Sequence, residues 1–305
     1  MTSGLSHHWS QAQSAPSRVI VLGSRGFVGS AVVSEFRHHG IDCLGISSAE
    51  IDLQKPNAVQ LLLERLQPGD ALVISSTLTP DRGKDTATFM KNVRMAEMIC
   101  SAIAEKPVAH VIYIGSDAVY PDNECYPDNT SFMDEATRMA PGALYGLMHA
   151  ARELMLRSVF RGPIAFLRPT LLYGAADTHN AYGPNRFRRS AMKEERILLF
   201  GSGEEKRDHV YIADVARIVR MVVERRSEGI LNIVTGRSTS FREVADLVAA
   251  QFPHEVRIVE QPRSGRAVVT HRHYAVEALK RAFPGFCPVS LEEGTALAHS
   301  GENRG

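Results

Sequence analysis

Gly23, Gly26 and Gly29 recur at three-residue intervals in Gly23-Ser24-Arg25-Gly26-Phe27-Val28-Gly29, directly after the apolar run Arg18–Leu22. Glycines so placed let a strand-to-helix turn tighten and the backbone approach a phosphate at a helix N-terminus. That is chemistry for holding a dinucleotide pyrophosphate; the plain alternative is a tight turn and nothing more. A second group of residues could move protons. Ser116 lies in Gly115-Ser116-Asp117-Ala118-Val119-Tyr120-Pro121, just past the run Val108–Ile114, while Tyr145 and His149 stand four apart in Leu144–Phe160. Positions i and i+4 share a helix face, so the phenol and the imidazole point the same way. With a dinucleotide bound, Ser116 can orient a carbonyl while Tyr145 passes a proton. That is a hydride-transfer site, although a buried bystander is the bland reading of His149.

These residues need a frame. The runs Arg18–Leu22, Asp42–Ile46, Ala71–Ser75, Val108–Ile114 and Ile164–Leu167 are short and apolar, as strands of a buried parallel sheet are. Between them the spacing predicts helices over Ala31–His38, Lys55–Leu66, Thr86–Glu105 and Leu144–Phe160. Alternation of this kind implies an α/β fold, a Rossmann-type doubly wound parallel sheet with helices on both faces. The pattern weakens after Gly174. There Ser240–Gln251 reads as a helix opened by a Ser cap with Glu243 three residues on. The expected organisation is a disordered leader over 1–17 and a dinucleotide-binding domain over 18–174. A smaller C-terminal substrate-binding lobe follows over 175–298, with a segment near 208–235 returning to the first domain and a tail over 299–305. Such a lobe would sit over the carboxyl edge of the sheet, where ligands bind in these folds.

Composition limits the alternatives. The 305 residues carry 35 Lys+Arg against 34 Asp+Glu, so the formal net charge is +1 and no electrostatic footprint for nucleic acid exists. Apolar stretches such as Val215–Val223 are broken by charges, here Arg217 and Arg220, so no membrane span is expected. Residues 1–17 lack the basic start and apolar core of a secretory signal. Cys43, Cys100, Cys125 and Cys287 are far apart with no CxxC spacing, which argues against zinc and against a disulfide framework and fits a reducing cytoplasm; no metal site is expected.

Cofactor choice is read where the second strand ends, since an acid there would bind the ribose 2′-hydroxyl. That end is Ile46-Ser47-Ser48, and Arg25 projects from the glycine loop near it. A missing carboxylate plus a guanidinium suits a 2′-phosphate, hence NADP rather than NAD; a solvated Arg25, with serines sufficing for NAD, is the alternative.

With these residues together, the chain resembles the extended short-chain dehydrogenases of the NAD-dependent epimerase/dehydratase family over about residues 18–290. Further landmarks match: Asn92 in the long helix, Glu153 beyond the Tyr, Arg168-Pro169 closing the fifth strand, and Gly201-Ser202-Gly203 followed by Arg207-Asp208-His209-Val210-Tyr211-Ile212. The resemblance implies that Asp52, with Leu53 beside it, meets the adenine amine and that Asn92 serves the cofactor. It implies too that Arg207 grips the diphosphate of a nucleotide sugar, helped by Asn185 and Arg186. A homodimer through Thr86–Glu105 and Leu144–Phe160 is also expected from relatives.

Two departures bear on the reaction. The family pattern is Tyr-x-x-x-Lys, and the lysine position here is His149, which lends less positive charge because a free imidazole is mostly neutral at pH 7. Leu171 stands where many relatives carry a substrate-contacting asparagine. Asp117 is followed by Ala118 rather than by a second acid, which disfavours 4,6-dehydration. The glycine loop and the Gly115–Pro121 segment resemble those of the GDP-fucose synthase branch, which has a Cys at Ala118 and a His near His179 or Asn180. Reducing a ketone needs Tyr145 as phenol, its default form, so a neutral His149 costs a reductase less than an enzyme that must first oxidise. Reduction of a 4-keto sugar nucleotide is therefore the expected activity. The alternatives are a C4 epimerase with retained NAD and a non-catalytic dinucleotide-binding module.

Overall fold

The computed structural model describes residues 4–8, 16–121, 132–263 and 269–301. The chain begins with a three-residue strand, β1 (Leu5–His7), then alternates through β2 (Arg18–Leu22), α1 (Phe27–His38), β3 (Cys43–Ile46), α2 (Ala58–Arg65), β4 (Asp70–Ile74), α3 (Thr86–Glu105), β5 (His110–Ile114), α4 (Leu144–Val159) and β6 (Ile164–Pro169). Beyond these come β7 (Leu171–Tyr173), α5 (Pro184–Glu194), β8 (Arg196–Phe200), β9 (Lys206–Tyr211), α6 (Ile212–Glu224), β10 (Glu228–Ile233), β11 (Ser238–Ser240), α7 (Phe241–Ala249), β12 (Arg257–Gln261), α8 (Glu277–Ala282) and α9 (Leu291–Ser300).

Seven strands make the main sheet in the order β1-β10-β6-β5-β4-β2-β3, parallel except where β1 pairs antiparallel with β10. The chain starts the parallel sheet at β2 and moves first to β3 and then back across to β4. The strand order therefore reverses beside β2, and the crevice at its carboxyl end is where such folds bind ligands. One apolar layer packs α1, α6 and α8 against the sheet through Val32, Phe36, Val215, Val219 and Leu279. The opposite layer packs α2, α3 and α4 through Leu62, Met98, Ile99 and Leu156. A third cluster, with Phe187, Val244 and Leu297, belongs to the lobe of α5, α7 and α9 and its two small sheets, β11-β9-β7 and β12-β8.

Several elements differ from their sequence reading for physical reasons. The helix expected from Ala31 begins at Phe27, because the glycine loop turns straight into it. Residues 1–17, read as a disordered leader, contain β1, whose Leu5 and His7 stand opposite Gly229 and Glu228 and extend the sheet edge. Within 208–235, α6 lies on α1, and β10 pairs with β6 in the main sheet. The 299–305 tail begins inside α9. Helix α7 has the expected cap, a reciprocal pairing of Ser240 and Glu243 with each other's backbone. Cys43, Cys100 and Cys287 are free thiols, and Cys125 lies outside the described residues. Among those residues no helix is long and apolar enough to cross a membrane.

Candidate active site at the carboxyl edge of the sheet

The glycine loop is held by Gly23, whose N–H donates to Ile46 of β3 at 2.9 Å and whose carbonyl accepts from Gly26 at 2.9 Å. A Cβ on Gly29 would come within 2.1 Å of that carbonyl, so no other residue allows helix and loop to approach this closely. The first turn of α1 contains no acid, and its N-cap, Gly26, makes no side-chain bond. The N–H groups and dipole there are suited to an anion. Phe27 and Val28 turn instead towards the lobe core. A cradle without side chains at a bare helix start fits a dinucleotide pyrophosphate.

The end of β3 corrects the sequence reading. Ser47 donates both its N–H (2.8 Å) and its hydroxyl (2.9 Å) to the carboxylate of Glu50. An acid therefore stands at this edge after all, delivered by a turn three residues long rather than by the strand. The two Ser47 bonds, backbone first, hold the Glu50 carboxyl below its ordinary range, with the Arg25 charge adding to the effect. Arg25 itself is exposed on the glycine loop. Asp52 accepts from the Gln54 N–H at 3.0 Å, and Leu53 is buried in the core beneath it. Asn92 spends its amide on the chain after β4: it accepts from the Leu78 N–H (2.8 Å) and donates to the Leu78 carbonyl (3.0 Å). It shapes that loop rather than offering a free amide.

Ser116 caps the short turn after β5, accepting from the Ala118 N–H at 3.1 Å. Helix α4 can reach this turn because Gly146 lies against the Ala118 carbonyl; a Cβ there would sit 1.9 Å from that oxygen. Tyr145 is thereby brought to the edge that carries Ser116. A cleft of about 310 Å³ opens beside it, lined by Leu78, Lys84, Phe89, Ala118, Tyr145 and Met148 among others. Burial, with Tyr113 and Asp117 nearby, pushes the Tyr145 phenol well above its ordinary value, so it is protonated. His149 lies edge-on to the Tyr145 ring, centroids 4.7 Å apart, and is 1 % exposed. Its Nδ1 is 2.6 Å from the Tyr113 hydroxyl, and its Nε2 has no partner. Burial, helped by Arg152, pushes His149 down to about 3, which leaves the ring neutral. A buried imidazole nitrogen without a partner, one helical turn from Tyr145, also fits a cofactor ribose.

The remaining candidates are tied up in protein contacts. Asp117 is not a free acid: Tyr274 donates to it at 2.6 Å and Arg272 at 3.1 Å. Arg207, expected as a diphosphate anchor, is paired with Glu205 and donates to the Thr270 carbonyl (2.7 Å) and hydroxyl (2.9 Å). Asp208 next to it accepts from Thr235 and Gly236 and holds a corner of the lobe. Asn185 is buried, accepting from the Gly174 N–H and donating to Asp177, so it builds the loop rather than the substrate surface. Arg186 is exposed over the Tyr182 ring. His179 reaches across to Asp81 at 2.6 Å, joining the lobe to the chain after β4. The landmarks Glu153 and Arg168 form a buried two-pronged pair at 2.9 and 2.7 Å that ties α4 to β6. Sequence reasoning missed Tyr113, Arg152, Glu50 and Arg272. Tyr113 and Arg272 carry no local signal, whereas an Arg three residues beyond His149 on one helix could have been noticed.

The sequence profile of the NAD dependent epimerase/dehydratase family matches residues 19–234. GDP-L-fucose synthase 1 of Arabidopsis thaliana is 23 % identical over 248 residues, which is 76 % of this chain and 76 % of that protein. The UDP-glucose 4-epimerase of Thermus thermophilus, solved in complex with NAD, superposes with a TM-score of 0.80 at 20 % identity, covering 93 % of this chain and 98 % of the other. A GDP-L-fucose synthetase from Naegleria fowleri superposes with the same TM-score, 0.80, at 18 % identity over 96 % of this chain and 95 % of that one. Both likenesses show the doubly wound fold.

Proposed function

The chain belongs to the NAD dependent epimerase/dehydratase family, and from that premise we propose that it is a nucleotide-sugar oxidoreductase reducing a 4-keto sugar nucleotide, with Tyr145 as proton donor. One observation supports this most: His149, in the position of the family lysine, is buried and neutral, while Tyr145 is held as phenol. Ketone reduction starts from that protonation state, and alcohol oxidation does not.

A reduced nicotinamide dinucleotide, when bound, supplies hydride. The Gly23–Gly29 cradle and the start of α1 would hold its pyrophosphate, and the His149 Nε2 a ribose hydroxyl. Ser116 orients the substrate carbonyl, and the Tyr145 hydroxyl gives its proton to the carbonyl oxygen. Ala118 offers no acid or base, so nothing in the turn after β5 besides Ser116 and the engaged Asp117 can move a proton from the sugar ring. The diphosphate is to be met by Arg207, which exchanges Glu205 and Thr270 for it, with Arg186, exposed over the Tyr182 ring, as its helper. NADP(H) is our choice of cofactor, through Arg25. The Glu50 carboxylate opposes a 2′-phosphate, so the preference is modest. We also read the protein as a homodimer in a reducing cytoplasm.

A C4 epimerase with retained NAD is the second reading, and Glu50 at the ribose edge is what favours it. Incubation with NADPH and a panel of 4-keto sugar nucleotides separates the two. Consumption of NADPH with formation of one alcohol supports the reductase. Interconversion of C4 epimers without added cofactor replaces it with the epimerase, and no turnover with unaltered behaviour of Tyr145→Phe leaves a dinucleotide-binding module.

A further inference from the structure

Arg152 lies on α4, three residues beyond His149 and seven beyond Tyr145, and is only 1 % exposed. Its Nη1 donates to the Thr77 hydroxyl at 3.1 Å and makes a weak 3.9 Å contact with the Met148 sulfur. Its Nε and Nη2 have no partner, and its guanidinium carbon stands 5.3 Å from the centre of the Tyr113 ring. Among the described residues no carboxylate pairs with it. Another buried guanidinium, that of Arg168 on β6, is fully matched by Glu153 of α4. The contrast matters, because a buried charge is ordinarily paired and an unpaired one is retained at high cost. The groups that touch this guanidinium or feel its charge include Tyr113 from β5, Cys100 from α3, Thr77 from the chain after β4, and Tyr145, His149 and Met148 from its own helix, none of them a carboxylate.

We propose that Arg152 is the fixed positive charge of this site, a positioning residue that acts through Tyr145 and His149. It keeps the imidazole in its neutral form and stabilises the negative charge left on the phenol oxygen when the Tyr145 proton passes to the substrate carbonyl. The inference rests on the reading of Tyr145 as proton donor. Its physical basis is that a preorganised cation aimed at developing charge, in a site without competing water, acts strongly because nothing need reorganise. The directions agree: the Arg152 charge opposes the upward push on Tyr145 and on Tyr113, and adds to the downward push on His149. Tyr113, Asp117 and Asp81 raise Tyr145, and the Arg152 charge works against that rise. The histidine at position 149 and the arginine at position 152 are then two halves of one device. The first presents a neutral ring nitrogen, and the second supplies the charge.

The test uses the protein without cofactor. Tetranitromethane nitrates phenolate, so the rate of Tyr145 nitration at pH 8, followed by peptide mass spectrometry, reads how accessible the anionic form is. Arg152→Met should slow it by about tenfold, the scale of one unit charge at short range in a partly shielded site, and Arg152→Lys should restore it. If methionine prevents folding, Arg152→Gln removes the charge while keeping a donor for Thr77. Unchanged nitration in a folded, uncharged variant overturns the assignment. So does a loss of NADPH affinity with nitration unchanged, since the guanidinium would then be holding the dinucleotide. Nitration that depends on Arg152 in a protein that reduces no 4-keto sugar nucleotide keeps the assignment and sinks the proposed reaction alone.

Discussion

The hydroxyl of Tyr113 has one proton to give and, among the described residues, a single acceptor, Nδ1 of His149. That bond fixes the imidazole ring and leaves Nε2 as its nitrogen without a partner. Tyr113→Phe removes the bond that fixes this ring and leaves Nδ1 buried without a partner. Its kcat/KM for ketone reduction should fall by roughly tenfold to a hundredfold, the equivalent of the 1–3 kcal/mol for such a loss. Unaltered kinetics in a folded Tyr113→Phe protein would show that this bond does not serve the reaction. The ribose edge supports a second expectation. Arg25→Ala should weaken NADPH by about 1.5–3 kcal/mol, as for a hydrogen bond to a charged group, and leave NADH nearly untouched. Glu50→Gln should strengthen NADPH by removing the opposing charge. Dissociation constants for both cofactors decide it, and equal shifts for NADPH and NADH would dismiss Arg25 as the phosphate partner. Glu50 was hidden in the sequence because its carboxylate reaches Ser47 through a turn, and strand-end patterns say nothing about turns.

At the scale of elements, α3 and α4 pack side by side over one face of the sheet and leave large apolar side chains outside: Met90 at 55 % exposure, Leu147 at 46 % and Leu154 at 57 %. Leu147 and Leu154 are seven apart and share one stripe of α4. Two such helices from each of two chains could bury these side chains together, which is the homodimer we propose. Leu147→Glu with Leu154→Glu should convert the protein to a monomer by light scattering without lowering its melting temperature steeply, and a wild type already monomeric at high concentration would end this idea. Helix α3 was legible in full, Thr86–Glu105, because a long periodic segment with Asp85 as its cap needs no tertiary help. Strands β2 to β6 were legible because their runs are mostly apolar, whereas β10, which also lies in the main sheet, was not read. Neither β1 nor α8 was legible. Leu5–His7 becomes a strand only against Gly229 and Glu228, and Glu277–Ala282 is too short to show a period before Ala278 and Leu279 find the main core. At the site the Ser, Tyr, His and glycine loop could be read from spacing. The cation at Arg152 and the pairing of Arg207 with Glu205 depend on folding and could not.

The whole molecule buries several titratable groups deeply enough to shift them, and this sets its response to acid. Burial holds His110 down at about 4 and His149 and His209 at about 3, against about 6.5 for a free imidazole. Unfolding frees all three to take up protons once the pH drops below about 6.5, so the stability they allow near neutrality is lost as pH falls through that value. Asp208 and Asp214 work the other way. Burial raises both to about 6, so their folded forms bind protons that the unfolded chain releases, and stability is lost as pH rises from about 4 to about 6. Glu135, raised by burial too, adds to the aspartates. Between pH 6.5 and 5 the three imidazoles outweigh the acids, and the unfolding free energy should fall on the order of 1 kcal/mol per pH unit. The clean measurement is a difference. His209 lies edge-on to Phe241, centroids 5.7 Å apart, in an apolar part of the lobe, and His209→Phe keeps a ring there while removing one proton from the balance. Denaturant unfolding at pH 5, 5.5, 6 and 6.5 should show a slope smaller in His209→Phe than in wild type by about 1.4 kcal/mol per pH unit at the acid end, the value of one proton. Parallel slopes for the two proteins would mean that His209 is not held neutral in the fold, and the acid sensitivity would fall to His110 and His149.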